Sequence, residues 1–269
     1  MESSRGEQHI MPRPRPLALA SLAWLLTTVA ALTTYAPPPL RVLETPTRDE
    51  VDACAATMCE GFWTTSQLTP AQIAALHKTQ SDDFRTRFSG KRRLRGSLLV
   101  VPDDDEGVAA MASLELGLVD VVARAVLPRD DAERKFIAAL GRLTTRDRNI
   151  LLRAPIQEVC GTLFDGNVRV VPLVSNVAVL PTSRRKGLGR RVMRACTDLA
   201  VDWNYDEVVL EVEAANKAAC ALYGDMGYQE LWRDIRSALK VDASVEQGPP
   251  LRRRPDVEHV AMWRGGLFA

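Results

Sequence analysis

The stretch from Leu173 to Glu213 constrains the fold most. Leu173-Val-Ser-Asn-Val-Ala-Val-Leu180 is an apolar run of strand length, and Pro181 ends it. Arg184-Arg-Lys-Gly-Leu-Gly189 follows as a basic turn with two glycines. From Leu188 onward, apolar residues recur at Val192, Cys196, Leu199 and Trp203, the spacing of one helix face. Glu207 to Glu213 then reads as a second strand. Strand, loop, helix and strand in this order predict an α/β fold with a parallel strand pair at its centre, because a helical crossover returns the chain in its original direction.

The turn between the first strand and the helix carries the first chemical signal. A helix start leaves backbone N–H groups unpaired at an electropositive end, and glycines let a ligand approach closely. Phosphate oxygens fit that geometry, and Arg184, Arg185, Lys186, Arg190, Arg191 and Arg194 add cations around it. The segment Gly187-Leu-Gly189-Arg-Arg-Val192 has only two glycines of a dinucleotide fingerprint, and no phosphate-loop motif of the G-x-x-x-x-G-K-[ST] type occurs. A nicotinamide-dependent oxidoreductase is the enzymatic rival, and the missing third glycine and the late position of the loop count against it. A solvated basic turn is the other alternative.

Downstream, Asn216-Lys-Ala-Ala-Cys-Ala-Leu-Tyr223 predicts a short helix closed by Gly227. Its seven-residue spacing, nearly two turns, puts Asn216 and Tyr223 on one side. Taken alone, Asn216 is equally a helix cap and Tyr223 equally a packed aromatic. Glu211 and Glu213 point to one face of their strand, as general bases or as salt-bridged surface groups. No histidine has a catalytic pattern nearby: His9 precedes the domain, and His77 and His259 stand apart from these motifs.

Around this centre, Leu40 to Thr45 reads as a strand, and Thr47 caps a helix from Arg48 to about Phe62. Thr69-Pro70 starts a second helix. Ser97 to Val101 and Val108 to Leu118 form a hairpin across the acidic turn at Asp103 to Gly107. Residues 119 to 167 read as an insertion with helices at Ala132 to Leu143 and Arg146 to Leu152. Tyr228 to Arg233 and Val257 to Trp263 are strands, the latter after a Pro/Arg-rich loop.

With 35 Lys+Arg against 34 Asp+Glu, the formal charge of +1 excludes a globally basic nucleic-acid binder. An interaction module using Lys91 to Arg95 and Arg252 to Arg254 on nucleic acid or anionic lipid remains the non-enzymatic rival. Five cysteines without a C-x-x-C pair argue against a disulfide scaffold and a structural zinc site, so no metal is expected. From Leu17 to Tyr35 no residue is charged, Arg5, Arg13 and Arg15 precede the block, and prolines follow. Residues 1–39 thus read as a removable presequence more than as an anchor, and no lasting membrane association is expected. The exit Thr34-Tyr-Ala-Pro37 resembles two-part presequences of algae with secondary plastids, which points to the plastid; secretion and anchoring through 17–35 are the alternatives.

Four segments together resemble the GNAT acetyltransferase superfamily, specifically its plastid and cyanobacterial members. They are Ser175-Asn-Val-Ala-Val-Leu-Pro181, Arg184 to Gly189, Glu211-Val-Glu-Ala-Ala-Asn216 and Ala221-Leu-Tyr-Gly-Asp-Met-Gly-Tyr228. The resemblance is strong over 173–230 and looser back to Leu40. It implies a mixed central sheet whose parallel pair splays apart, flanked by helices, in a domain spanning 40–269. It also implies acetyl-CoA as co-substrate and a protein or peptide amine as the first acceptor, with a small amine or amino acid as the alternative and nucleic acid not expected as a partner. Val177, Ala178 and Val179 would pair with the pantetheine arm. The N–H groups around Arg184, Arg185, Lys186, Gly187, Leu188, Gly189 and Arg190 would hold the pyrophosphate. Asn216 would contact the CoA arm, and Tyr223 would give its proton to the leaving sulfur.

Overall fold

In a computed structural model, residues 39–267 are described except 64, 89–93, 103–106 and 165. The presequence, the basic run Lys91 to Arg93 and the acidic turn Asp103 to Glu106 therefore lie outside the described residues. Two helices come first after strand β1 (Arg41–Leu43): α1 (Arg48–Phe62) and α2 (Pro70–Phe88). Thr47 starts α1 as expected, in a capping box in which the Glu50 carboxylate accepts from the Thr47 N–H at 2.9 Å. Thr69 and Gln72 repeat the arrangement at α2, where Thr69 N–H donates to Gln72 Oε1 at 2.9 Å.

Strands β2 (Gly96–Pro102) and β3 (Val108–Asp120) form the predicted hairpin, and β4 (Ala125–Leu127) turns back onto β3. Helices α3 (Arg129–Leu140), α4 (Thr145–Leu151) and α5 (Ile156–Leu163) fill the stretch before β5 (Val168–Val179). Then come α6 (Leu188–Asp202), β6 (Val208–Glu213), α7 (Lys217–Asp225), β7 (Gln229–Val241) and β8 (Leu251–Arg264). The sheet runs β1-β2-β3-β5-β6-β8-β7, with β4 attached to β3. Only β5 and β6 are parallel among these pairs.

One face of the sheet packs on α3 to α7 in the largest apolar cluster, where Val192, Cys196, Leu199 and Trp203 of α6 meet Leu114 and Leu116 of β3. The other face meets α1 and α2 through Val51, Cys54, Met58 and Phe84. The mixed, splayed α/β architecture expected from the sequence is the observed one.

Several elements differ from the sequence reading: β5 starts at Val168, inside the stretch read as an insertion, and β7 runs on to Val241. Helix α5 was not anticipated, since its eight residues are too few to establish a period. The Pro/Arg-rich stretch before Val257 is strand, not loop. It pairs with β7 from Arg252↔Lys240 to Arg254↔Ala238, and its arginines find polar partners: Arg252 reaches Asp242 at 3.2 Å and Arg253 reaches Ser237 at 3.0 Å. A ribbon stabilised by cross-strand pairing and ion pairs lacks the apolar alternation by which strands are read from sequence. The five cysteines are free thiols, as expected.

Candidate active site

The parallel pair is joined over only two residue pairs, Leu173↔Val209 and Val174↔Leu210. Beyond them β5 continues to Val179 and β6 to Glu213 without pairing, so the strands part. A bulge in β5 accompanies the parting. Met111 opposes Ala178 and Ser113 opposes Ser175, so Asn176 and Val177 together face the single residue Ala112. Asn176 adopts the left-handed region at φ 53°, and its amide donates to Ser113 Oγ at 2.9 Å. This kink was missed from sequence, although an Asn inside an apolar run is the signal for it.

Leu180 N–H donates to the Ala109 carbonyl at 3.0 Å. Strand alternation then turns the N–H and C=O of Val179, and of Val177 two residues earlier, toward the parted edge. The side chains of Val177 and Val179 pack toward α6 and α7, whereas Ala178 packs toward α1. Gly61 of α1 lies against this strand end: a Cβ there would stand 3.0 Å from Val179 O and 3.1 Å from Val179 N. Arg184 ties the two together, donating from Nη2 to Gly61 O at 2.7 Å and from Nε to Val179 O at 3.3 Å. Its side chain thus braces the site.

The loop from Arg184 to Gly189 leads straight from this edge into α6. Arg185 has φ 63° and Gly187 φ 78°, and Gly187 caps the helix without any side-chain hydrogen bond. The first capping bond is Arg191 N–H to Gly187 O at 3.1 Å, so the N–H groups of Leu188, Gly189 and Arg190 have no acceptor within the helix. Arg185 and Lys186 are exposed beside them. Alternating backbone conformations at an uncapped helix start form an anion cradle. A pyrophosphate fits here, and an extended amide-bearing arm fits the unpaired edge of β5.

Helix α7 begins at Asn216, whose side-chain oxygen accepts from Ala219 N–H at 3.2 Å. Asn216 is thus a cap, with its amide NH2 still available to a ligand. Tyr223, 7% exposed, lies in the same apolar cluster as Cys196 and 5.9 Å from the Tyr228 ring, between ring centroids. Burial pushes its phenol up to about 12, and the neighbouring Cys196 and Cys220 add to the shift.

On the opposite face of the sheet a cleft of about 540 Å³ runs over the parting strands. Leu173 and Val126 give it an apolar floor, Met58 and Phe62 of α1 one wall, and Asp130, Asp131 and Arg134 of α3 another. Glu211 lines it; Glu213 does not stand among its lining residues and instead pairs with Lys240. Burial raises the Glu211 carboxyl, against the pull of the Arg236 guanidinium that it contacts. Beneath lies an ionic cluster unforeseen from sequence. Glu115, 2% exposed, contacts Arg87 and lies 3.4 Å from Arg129, itself 2% exposed. His259, set aside in the sequence reading, also lines the cleft. The signal for it was non-local, since only the pairing of β8 with β6 brings it there.

Residues 158–228 match the model of the acetyltransferase (GNAT) family. No curated protein matches the sequence. Among solved structures, the ribosomal-protein-S18-alanine N-acetyltransferase of Escherichia coli shares 15% identity over 85% of this chain and 94% of its own, with a TM-score of 0.43. Naa20 of Chaetomium thermophilum, solved with a bisubstrate analogue, shares 15% over 84% and 86%, with a TM-score of 0.43. Mutant forms of the spermidine/spermine N-acetyltransferase SpeG of Vibrio cholerae share 12% over 85% and 94%, with a TM-score of 0.44. Likenesses of this degree do not discriminate among acceptors. Among the described residues no cluster of three or more His, Cys, Asp or Glu is placed to hold a metal, and no helix is long and apolar enough to cross a membrane.

Proposed function

We propose that the chain is an acetyl-CoA-dependent N-acetyltransferase acting on a primary amine of a protein or peptide, the N-terminal α-amine first and the lysine ε-amine second. The observation that carries this reading is the parting of β5 from β6 beside the uncapped start of α6. It supplies an anion cradle and a free strand edge in one continuous surface, with the cleft on the far face for the acceptor.

Acetyl-CoA supplies the acetyl group as an activated thioester. The N–H groups from Arg185 to Arg190 hold its pyrophosphate, and the main chain of Val177 and Val179 pairs with the pantetheine as an added strand would. The Val179 N–H, turned to the parted edge, is placed to donate to the oxyanion. Tyr223 donates toward the leaving sulfur. With its phenol pushed up to about 12 against a thiol near 8.5, full proton transfer is uphill by roughly 5 kcal/mol. Tyr223 therefore acts by hydrogen bonding more than by handing its proton over. An α-amine, titrating near 7.7–8.0, is neutral far more often at pH 8 than a lysine at about 10.4, which favours the N-terminal acceptor.

Acetylation of peptide libraries carrying either a free N-terminus or only free lysines, with mass-spectrometric site mapping, tests the acceptor. N-terminal products are expected; exclusive modification of a small amine such as spermidine would overturn the protein-acceptor reading. The N-terminal block keeps its reading as a removable plastid address, and finding Leu17 to Tyr35 intact in the mature protein would contradict it.

A further inference from the structure

The acceptor amine must lose a proton before it attacks, and Glu211 and Glu213, the carboxylates that the sequence marks for this task, are each held by a cation from β7. His259 is differently placed. Its Nδ1 lies 2.9 Å from the carbonyl oxygen of Val257. A carbonyl only accepts, so Nδ1 carries the hydrogen and Nε2 keeps its lone pair. The contact follows a break in the strand: β8 bulges at Pro255 and Asp256, with Asp256 at φ 58°, between the pairs Ala238↔Arg254 and Arg236↔Val257. Bulges next to active sites commonly re-aim a side chain. Here the ring is fixed in one tautomer at the wall of the cleft that also contains Glu211 and the Ser175–Asn176 kink.

The geometry points to His259 as the general base of the acetyl transfer, with Nε2 accepting the first proton of the acceptor ammonium directly or through one water. This rests on the acetyltransferase reading above and adds a residue to it. The balance is complete. R–NH3⁺ gives one proton to Nε2 and becomes R–NH2. Its lone pair forms the N–C bond to the thioester carbonyl, and the C–S bond breaks as the carbonyl re-forms. The second nitrogen proton neutralises the thiolate, and the imidazolium returns its proton to solvent.

Charged groups face His259 from several elements. Glu213 of β6 and Asp234 of β7 stand opposite it in register, with Glu211 and Arg236 two positions farther along their strands. Across the cleft lie Arg87 of α2, Glu115 of β3, and Asp130, Asp131 and Arg134 of α3.

The test compares wild type, His259→Gln and Glu211→Gln on a peptide with a free N-terminal amine, measuring kcat/KM from pH 5.5 to 9.5 and acetyl-CoA affinity by calorimetry. His259→Gln is expected to lose about 100-fold at pH 7 and to recover toward wild type at pH 9.5, where the amine deprotonates unaided, so its acidic limb becomes steeper and follows the amine alone. Acetyl-CoA affinity should stay unchanged. Nitrogen NMR of the ring should show hydrogen on Nδ1 in the neutral form, whether or not a substrate is found. A His259→Gln profile that parallels wild type at every pH, a loss at pH 7 that recovers at pH 9.5 only in Glu211→Gln, or a neutral ring protonated on Nε2 would each overturn the proposal. Wild-type protein that neither binds acetyl-CoA nor turns over any amine would overturn the acetyltransferase reading itself.

Discussion

Gly61 and Val179 approach so closely that a single methyl group on Gly61 would sit 3.0 Å from the Val179 carbonyl oxygen. The last turn of α1 is thereby pressed against the strand end at the parted edge of β5. Gly61→Val is expected to force the two apart, at a cost of about 1–3 kcal/mol for the added bulk. Thermal denaturation should show the loss of stability, and calorimetry should show weakened acetyl-CoA binding. Unaltered affinity would detach α1 from the cofactor site.

The loop into α6 gives a sharper case. Gly187 has φ 78°, a conformation that disfavours any side chain, yet open space surrounds its Cβ position. Gly187→Ala should cost about 1–2 kcal/mol through backbone strain alone. Gly187→Glu adds a negative charge where the pyrophosphate belongs and should abolish acetyl-CoA binding by calorimetry. If Gly187→Glu binds like Gly187→Ala, the anion cradle lies elsewhere.

Tyr223→Phe removes one hydroxyl from an otherwise apolar setting. Turnover should fall by about 10- to 100-fold with acetyl-CoA affinity unchanged. Because burial holds the phenol protonated to about 12, the deficit should be constant from pH 7 to 10. Unchanged turnover would remove Tyr223 from the chemistry.

The same burial governs alkaline stability. Tyr205 and Tyr223 are pushed up to about 12 by burial, and Tyr228 is raised as well. In the unfolded chain these phenols ionise near 10, so above that pH the unfolded state binds fewer protons and stability falls as pH rises toward 12. Circular dichroism during urea unfolding should show stability level up to about pH 9.5 and declining steeply beyond. Tyr223→Phe should flatten part of the decline.

Gly96 and Arg129 depend on each other in the ionic cluster beneath the cleft. A Cβ at Gly96 would lie 2.1 Å from Arg129 Nη1, so only glycine lets that guanidinium pass to Glu115. Gly96→Ala should destabilise the fold by about 2–4 kcal/mol, from overpacking and from disturbing a buried ion pair. A denaturant midpoint equal to wild type would contradict this.

These sites differ in how far the sequence announced them. The α6 face from Leu188 to Trp203, the cap at Thr47 and the glycine turn before Leu188 are local patterns, each written within one or two helical turns, and the structure shows them where the sequence places them. Arg252 to Arg254 misled because a cross-strand ribbon needs no apolar alternation. Glu115, Arg129 and His259 were invisible for a different reason. Their surroundings are assembled by strand register, with Glu213 meeting His259 across 46 residues of chain. Burial of Glu115 between two arginines likewise follows from where α2 and α3 land on β3, not from any spacing along it. Asn176 stands between these extremes, a local residue whose kink becomes meaningful only once β6 is seen to diverge beside it.

The account centres on acetyl transfer at the parted edge of β5 and β6. The most direct measurement is acetyl-CoA-dependent thiol release in the presence of a free-N-terminus peptide, run side by side on wild type and Gly187→Glu. Release that requires the amine and vanishes in Gly187→Glu is expected. No amine-dependent release from wild type, or equal release from Gly187→Glu, would contradict the account.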